Sequence, residues 1–336
     1  SLLAVRLFAR LHKEFGIDME LATLLSAGTV RQLAAMLREE LGLPEPSDEP
    51  VRSVAARKGQ HVVPIQIEGS RPKLFLVHGA GGNVLGFRDL SHYFGKNQPL
   101  YGLQARGVDG KVEPHATIQE MAEAYLAELR EVQPHGPYHL GGYSGGGVVA
   151  YEMAQLLRAV GEPVAFVGMI DSWCPQMKKR SKFSRAMLHI GRLIKKGPLY
   201  PWRIVKARID RRTAARDTEK AREQGGALPQ EQRGFEVQFA FENAFETHQI
   251  KPYEGDVWLF RADDQHLGTR FVFDAHLGWR PFVQGEALSV HACPGNHYTM
   301  CTEPNVQVLC QYMMQAIDVA IARSVSTSAS TSAATS

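Results

Sequence analysis

Cysteine is scarce, with four residues in 336, at positions 174, 293, 301 and 310. None forms a C-x-x-C pair and no histidine cluster has ligand spacing, so the pattern excludes a zinc or other metal site and a disulfide framework. Scattered free thiols suit a reducing compartment, and the expected location is cytoplasmic. Net charge is also small. Lys and Arg number 38 against 35 Asp and Glu, a formal +3, too little to argue for a nucleic-acid partner. No apolar run reaches membrane-spanning length and no leader with a cleavage site is visible, so no membrane partner is expected. The first residue is Ser1 rather than Met, which reads as a piece of a longer polypeptide.

What remains is an ordinary globular composition, 44% hydrophobic and 22% charged, with one normal core and a small appendage. Residues 1–42 read as short helices: Leu3, Leu7, Leu11 and Phe15 form one stripe, and Thr29 with Gln32 forms a capping box before an apolar face of Val30, Leu33, Leu37 and Leu41. Residues 43–60 carry three prolines and no period, a linker. From 61 to 323, strands predicted at 62–67, 74–78, 100–103, 138–143, 164–171, 257–261 and 288–292 alternate with helices predicted at 117–132, 145–160, 235–248 and 305–322. That alternation implies an α/β domain with a mostly parallel sheet covered on both faces. It fails between about 173 and 234, a strongly basic stretch expected to be a helical lid. The lid's charge reads either as a solvated helical face or as a surface for an acidic carrier or a phosphate. The tail 324–336, small and polar, is expected to be disordered.

Gly142-Tyr143-Ser144-Gly145-Gly146 fits G-x-S-x-G, after an apolar strand and opening a helix. That context predicts a strained strand-to-helix turn exposing the Ser144 hydroxyl as an acyl nucleophile. A serine needs a base, and on this architecture the histidine comes last, on a loop after the final strands. His297, in Cys293-Pro294-Gly295-Asn296-His297, holds that place. The orienting acid has two candidate positions, Asp171 at one strand end and Asp263 or Asp264 at a later one, and position alone does not separate them. An oxyanion hole needs two backbone donors: Gly145 N–H, and either Ala80 or Gly81 in the loop His78-Gly79-Ala80-Gly81-Gly82.

Together LFLVHGAGG, YHLGGYSGGGVVAYEMA, IDSW, PYEGDVWLFRADDQ, GWRPFV and PGNHYTM, in this order over about 62–320, resemble the type I thioesterase domains that end nonribosomal peptide and polyketide synthases. The resemblance implies an α/β-hydrolase sandwich with a helical lid insertion. It implies Asp171 as the acid, because the family's acid lies at the strand end soon after the nucleophile. It also implies release of an acyl or peptidyl chain, by hydrolysis or macrocyclisation. The segment SLLAVRLFARLHKEFGIDMELATLL is similar to the second half of a peptidyl or acyl carrier domain. That similarity implies Ser1 as the phosphopantetheine attachment site, with phosphopantetheine as cofactor and an upstream carrier and synthase modules as partners. The glycines before that serine and the family's first helix are absent from this sequence, and Gly28 stands where a proline is usual. A stand-alone esterase or lipase-like hydrolase would use the same three residues but leaves the carrier-like segment unexplained. A catalytically silent docking module would keep the fold alone.

Overall fold

The computed structural model describes residues 2–17, 19–42, 61–108, 112–184, 187, 230–265, 272 and 274–334. The linker predicted over 43–60 and most of the predicted lid lie outside these residues. Three helices come first: α1 (Leu2–Phe15), α2 (Thr23–Ser26) and α3 (Val30–Glu40). The capping box of α3 forms as the sequence predicts: the Thr29 hydroxyl accepts from Gln32 N–H, and the Gln32 side chain accepts from Thr29 N–H. The apolar stripes differ. Phe8, Ala27 and Leu33 make the small buried cluster, whereas Leu7, Phe15 and Val30 are exposed. A helix turns about 100° per residue, so each four-residue step overshoots a full turn by about 40°. A strict i, i+4 row therefore winds off the buried face.

Seven strands form one sheet: β1 (Val62–Gln66), β2 (Leu74–Val77), β3 (Leu100–Leu103), β4 (Tyr138–Tyr143), β5 (Val164–Ile170), β6 (Val257–Asp264) and β7 (Leu288–Asn296). Their spatial order is β1-β3-β2-β4-β5-β6-β7. The β1–β3 pair is antiparallel, and every other neighbouring pair is parallel. The inner strands are apolar on both faces because helices cover both. On one side lie α5 (Ile118–Val132), α6 (Gly146–Ala159) and α7 (Gln230–Thr247), whose Tyr125, Tyr151 and Phe241 share a core with Phe75 and Val167. On the other lie α4 (Phe87–Phe94) and α8 (Val306–Ala334), whose Leu90 and Leu309 pack with Leu76 and Phe260. Leu25 of α2 packs against this second core, which ties the N-terminal helices to the sheet domain.

Two elements depart from the sequence reading. Helix α4 was not predicted; its buried Phe87, Leu90 and Phe94 have helical spacing, but eight residues between Gly86 and Gly95 are too short a window for periodicity to register. The last helix continues to Ala334, through the start of the segment predicted as a disordered tail at 324. No Gly or Pro interrupts that segment, propagating an existing helix costs little, and Ser324 and Ser326 hydroxyls donate back to the Ile321 and Arg323 carbonyls.

Candidate active site

The turn between β4 and α6 holds Ser144 at φ 56°, a left-handed conformation that costs a non-glycine residue about 1–3 kcal/mol. Two glycines make the turn possible. A Cβ on Gly142 would lie 2.2 Å from backbone atoms of Gly146, and one on Gly146 would lie 2.1 Å from the His78 carbonyl. Neither neighbour is a flexible side chain that could move aside. The Ser144 N–H donates to the Ile170 carbonyl (2.8 Å), and its own carbonyl accepts from the Ser172 hydroxyl. Ser144 thus sits on the parallel core of the sheet, at its C-terminal edge, with the N-terminus of α6 beneath it.

Asp171 follows β5 and also takes positive φ, 45°. Its Oδ2 accepts from His297 Nδ1 at 2.7 Å. Its Oδ1 accepts from Ala262 N–H and from the Gln265 amide, each at 2.8 Å. Burial alone would push this carboxyl up. The hydrogen bond and charge of His297, with the two N–H donors, outweigh burial and hold it below the ordinary aspartate range. Asp263, one residue past Ala262, is exposed, and the accepting carboxylate at His297 Nδ1 is that of Asp171.

His297 follows β7 and is 5% exposed. The Tyr143 hydroxyl donates to its backbone carbonyl (2.5 Å), and the Tyr143 ring stacks on the imidazole with centroids 5.0 Å apart and planes 22° apart. The Trp173 ring also packs near the imidazole, with centroids 5.3 Å apart. Trp279, fully buried, donates its indole N–H to the Ser172 carbonyl (2.8 Å). These four supports, Tyr143, Ser172, Gln265 and Trp279, escaped the sequence reading, although the first three stand beside the candidate residues in the segments GYSGG, IDSW and RADDQ. Nothing in sequence spacing says which neighbour turns inward.

Ser144 and His297 line one cavity of about 620 Å³, together with Ala80, Gly81 and Gly145. The Ser144 hydroxyl makes no hydrogen bond to the imidazole among the described residues; in ligand-free hydrolases this contact often tightens only with substrate bound. Gly145 is the N-cap of α6 and has no side-chain cap. Among the described residues, the N–H groups of Ala80, Gly81 and Gly145 have no protein acceptor, whereas Gly82 N–H is engaged by the Gly79 carbonyl at 2.9 Å. Phe241 and Phe245 of α7 form part of the cavity wall. No group of side chains that could hold a metal ion occurs among the described residues, and none of the described helices is long and apolar enough to cross a membrane.

Residues 72–314 match the thioesterase domain family, and residues 1–37 match the phosphopantetheine attachment site family. The dimodular nonribosomal peptide synthase of Bacillus subtilis (strain 168) is 38% identical over 173 residues, 52% of this chain and 7% of that protein. Enterobactin synthase component F of Escherichia coli (strain K12) is 36% identical over 176 residues, 52% of this chain and 13% of that protein. The chain therefore spans a small part of the length of these relatives. Among solved structures, a four-domain nonribosomal peptide synthetase bound to AMP and glycine matches with a TM-score of 0.59 and 25% identity, over 94% of this chain and 23% of that one. The NocB thioesterase domain, in covalent complex with a fluorophosphonate nocardicin G analogue, shares the fold at a TM-score of 0.56 and 24% identity, over 76% of this chain and 99% of that one. With a mostly parallel sheet, a serine at the strand-to-helix turn and a histidine–aspartate pair beside it, the chain belongs to the thioesterase domain family: it is an α/β-hydrolase of the serine type, similar to the thioesterase modules of nonribosomal peptide synthetases and joined to part of a phosphopantetheine attachment domain.

Proposed function

We propose that the chain releases an acyl or peptidyl chain from a carrier-bound thioester through an acyl-enzyme on Ser144. The observation that carries this reading is the buried His297–Asp171 pair, 2.7 Å apart, facing a cavity that Ser144 also lines. The N-terminal attachment-site match favours a carrier-bound thioester over a free ester as substrate. We place the partial carrier at 1–42, the linker at 43–60 and the thioesterase at 61–323, with a lid at about 173–234; the two family matches, 1–37 and 72–314, fall within the first and third of these.

Ser1 would carry the phosphopantetheine and lies outside the described residues. The helix that follows it in sequence starts at Leu2, and a helix start suits a phosphate. Bound there, the group supplies the thiol that holds the acyl chain as a thioester. The rest is done by side chains of the thioesterase domain. His297, its Nδ1–H held by Asp171, presents Nε2 to take the Ser144 proton as the hydroxyl attacks the thioester carbonyl. The N–H of Gly145, with that of Ala80 or Gly81, receives the oxyanion. The imidazolium, stabilised by Asp171, gives its proton to the departing thiolate, leaving an ester on Ser144. His297 then deprotonates the second nucleophile. Water yields the free acid, and an amine or hydroxyl of the same acyl chain yields a macrocycle; in both, the proton returns to Ser144. The partners are the carrier domain and the synthase modules upstream of it.

Intact-protein mass spectrometry after incubation with an acyl N-acetylcysteamine thioester tests this. Wild type gains the acyl mass and Ser144→Ala does not. An adduct of equal extent on Ser144→Ala would remove the acyl-enzyme assignment, and the released product distinguishes acid from macrocycle.

A further inference from the structure

His78 and Tyr125 are buried, chemically capable residues that the acyl-transfer steps leave without a task. His78 follows β2 at the entrance to the glycine loop and is 0% exposed. Its Nδ1 lies 2.6 Å from the Gly79 carbonyl and its Nε2 lies 2.7 Å from the Tyr125 hydroxyl. A carbonyl only accepts, so Nδ1 carries the proton. Burial lowers the His78 pKa to about 4, so the ring is neutral at pH 7 and Nε2 presents a lone pair. Tyr125, whose own pKa burial raises, stays a phenol and donates to it. The Gly79 carbonyl therefore sets the tautomer of His78, and the Tyr125 hydroxyl satisfies and holds the other ring nitrogen.

The consequence falls on one peptide plane. The Gly79 carbonyl accepts from His78 on one side and from Gly82 N–H, at 2.9 Å, on the other. These two donors hold the carbonyl on the buried side of the loop. The Gly79–Ala80 peptide is trans, so the Ala80 N–H points the opposite way. Gly79 and Ala80 line the cavity with Ser144, and a Cβ built on Gly79 would stand 3.7 Å from the Ser144 Cβ; with the carbonyl turned to the buried His78, the side left for the Ala80 N–H is that of the cavity. Tyr125 is itself confined, with the ring of His61 at 5.0 Å and that of His115 at 6.3 Å. His78 also meets the ring of Phe241 of α7, with centroids 5.5 Å apart.

We propose that His78 and Tyr125 are positioning residues that hold the Gly79 carbonyl back and aim the Ala80 N–H, which makes Ala80 rather than Gly81 the second oxyanion donor. This rests on Ser144 being the nucleophile.

The test is steady-state turnover of an acyl N-acetylcysteamine thioester by the full 336-residue chain, for His78→Leu, His78→Asn and Tyr125→Phe, with thermal unfolding of each. Losing an oxyanion donor outright costs roughly 10²–10³ in kcat; a donor left in place but no longer aimed should cost part of that. His78→Leu is expected to lose about 10- to 100-fold in kcat with KM within about twofold. In His78→Asn the amide nitrogen stands where Nδ1 stood, and kcat is expected to return to within about fivefold of wild type. Tyr125→Phe keeps the ring and the packing but leaves the buried Nε2 of His78 without its donor and frees the ring to turn, with an expected loss of about 3- to 10-fold in kcat. If His78→Leu does not fold, Tyr125→Phe decides. Unchanged kcat in Tyr125→Phe, or equal losses in the Leu and Asn variants, would overturn the positioning role and leave only packing. Fluorophosphonate labelling keeps the two readings apart: a Ser144 adduct on wild type with unaltered variants sinks this proposal alone, and absence of the adduct sinks the nucleophile and this proposal with it.

Discussion

Replacing Asp171 with asparagine changes almost no volume, and the surrounding hydrogen bonds dictate how the new amide turns. Asp171 Oδ1 accepts from Ala262 N–H and from the Gln265 amide, both at 2.8 Å. The Ala262 donor is backbone and cannot flip, so the asparagine oxygen must occupy the Oδ1 place and its NH2 group must face His297. The Nδ1 of His297, now 2.7 Å from a donor instead of an acceptor, must accept. Its proton then moves to Nε2, the atom that has to receive the Ser144 proton. An imidazole in that tautomer is no base toward Ser144, and its charged form has lost its carboxylate. In a serine hydrolase with this arrangement the loss is about 10⁴ in kcat, or about 5.5 kcal/mol at 1.36 kcal/mol per tenfold. Thiol release from an acyl N-acetylcysteamine thioester measures it, with Asp263→Asn as the comparison. Asp263 is exposed, and its variant should stay within about twofold of wild type. Asp171→Asn turnover within tenfold of wild type, or collapse of Asp263→Asn beside an intact Asp171→Asn, would refute the assignment of the acid.

Two further predictions concern stability. His139 on β4 is 1% exposed, stacked on Phe166, with its pKa lowered by burial to about 4. A folded-state value below the unfolded 6.5 means that the unfolded chain binds the extra proton first, so stability present above pH 6.5 drains as pH falls toward 4, by at most about 3 kcal/mol. His139→Leu should flatten that part of a urea-denaturation pH series, and a series parallel to wild type between pH 6.5 and 4 would contradict the mechanism. Thr117 caps α5, accepting from Glu120 N–H while the Glu120 side chain accepts from Thr117 N–H; Thr117→Ala should cost about 1 kcal/mol in chemical denaturation, and no measurable loss would mean that the box contributes nothing to this helix.

Much of the molecule was legible in sequence because its signals are local. The alternation of apolar strands with amphipathic helices named the α/β class and located all seven strands, with β6 and β7 each running a few residues beyond the predicted ends. The spacing Gly142-x-Ser144-x-Gly146 predicted the turn, since the two Cβ-free positions answer a backbone contact near 2 Å that no other residue type tolerates. What stayed hidden depends on which residues meet across the fold. Asp171 and Asp263 end adjacent parallel strands and look alike as text; only the side-by-side placement of β5 and β6, with the loop after β7 folded over them, brings Asp171 Oδ2 to His297 and turns Asp263 outward. Tyr143, Ser172, Gln265 and Trp279 were unremarkable in sequence for the same reason, and Leu7 and Phe8 could not be told apart until the helix had something to pack against. A sequence carries the periods and turn chemistry that decide each element, because those follow from neighbours a few residues away. The hydrogen-bond partners of a carboxylate, and the tautomer of a buried imidazole, follow from neighbours dozens to more than a hundred residues away, and those distances exist only once the sheet has closed its order.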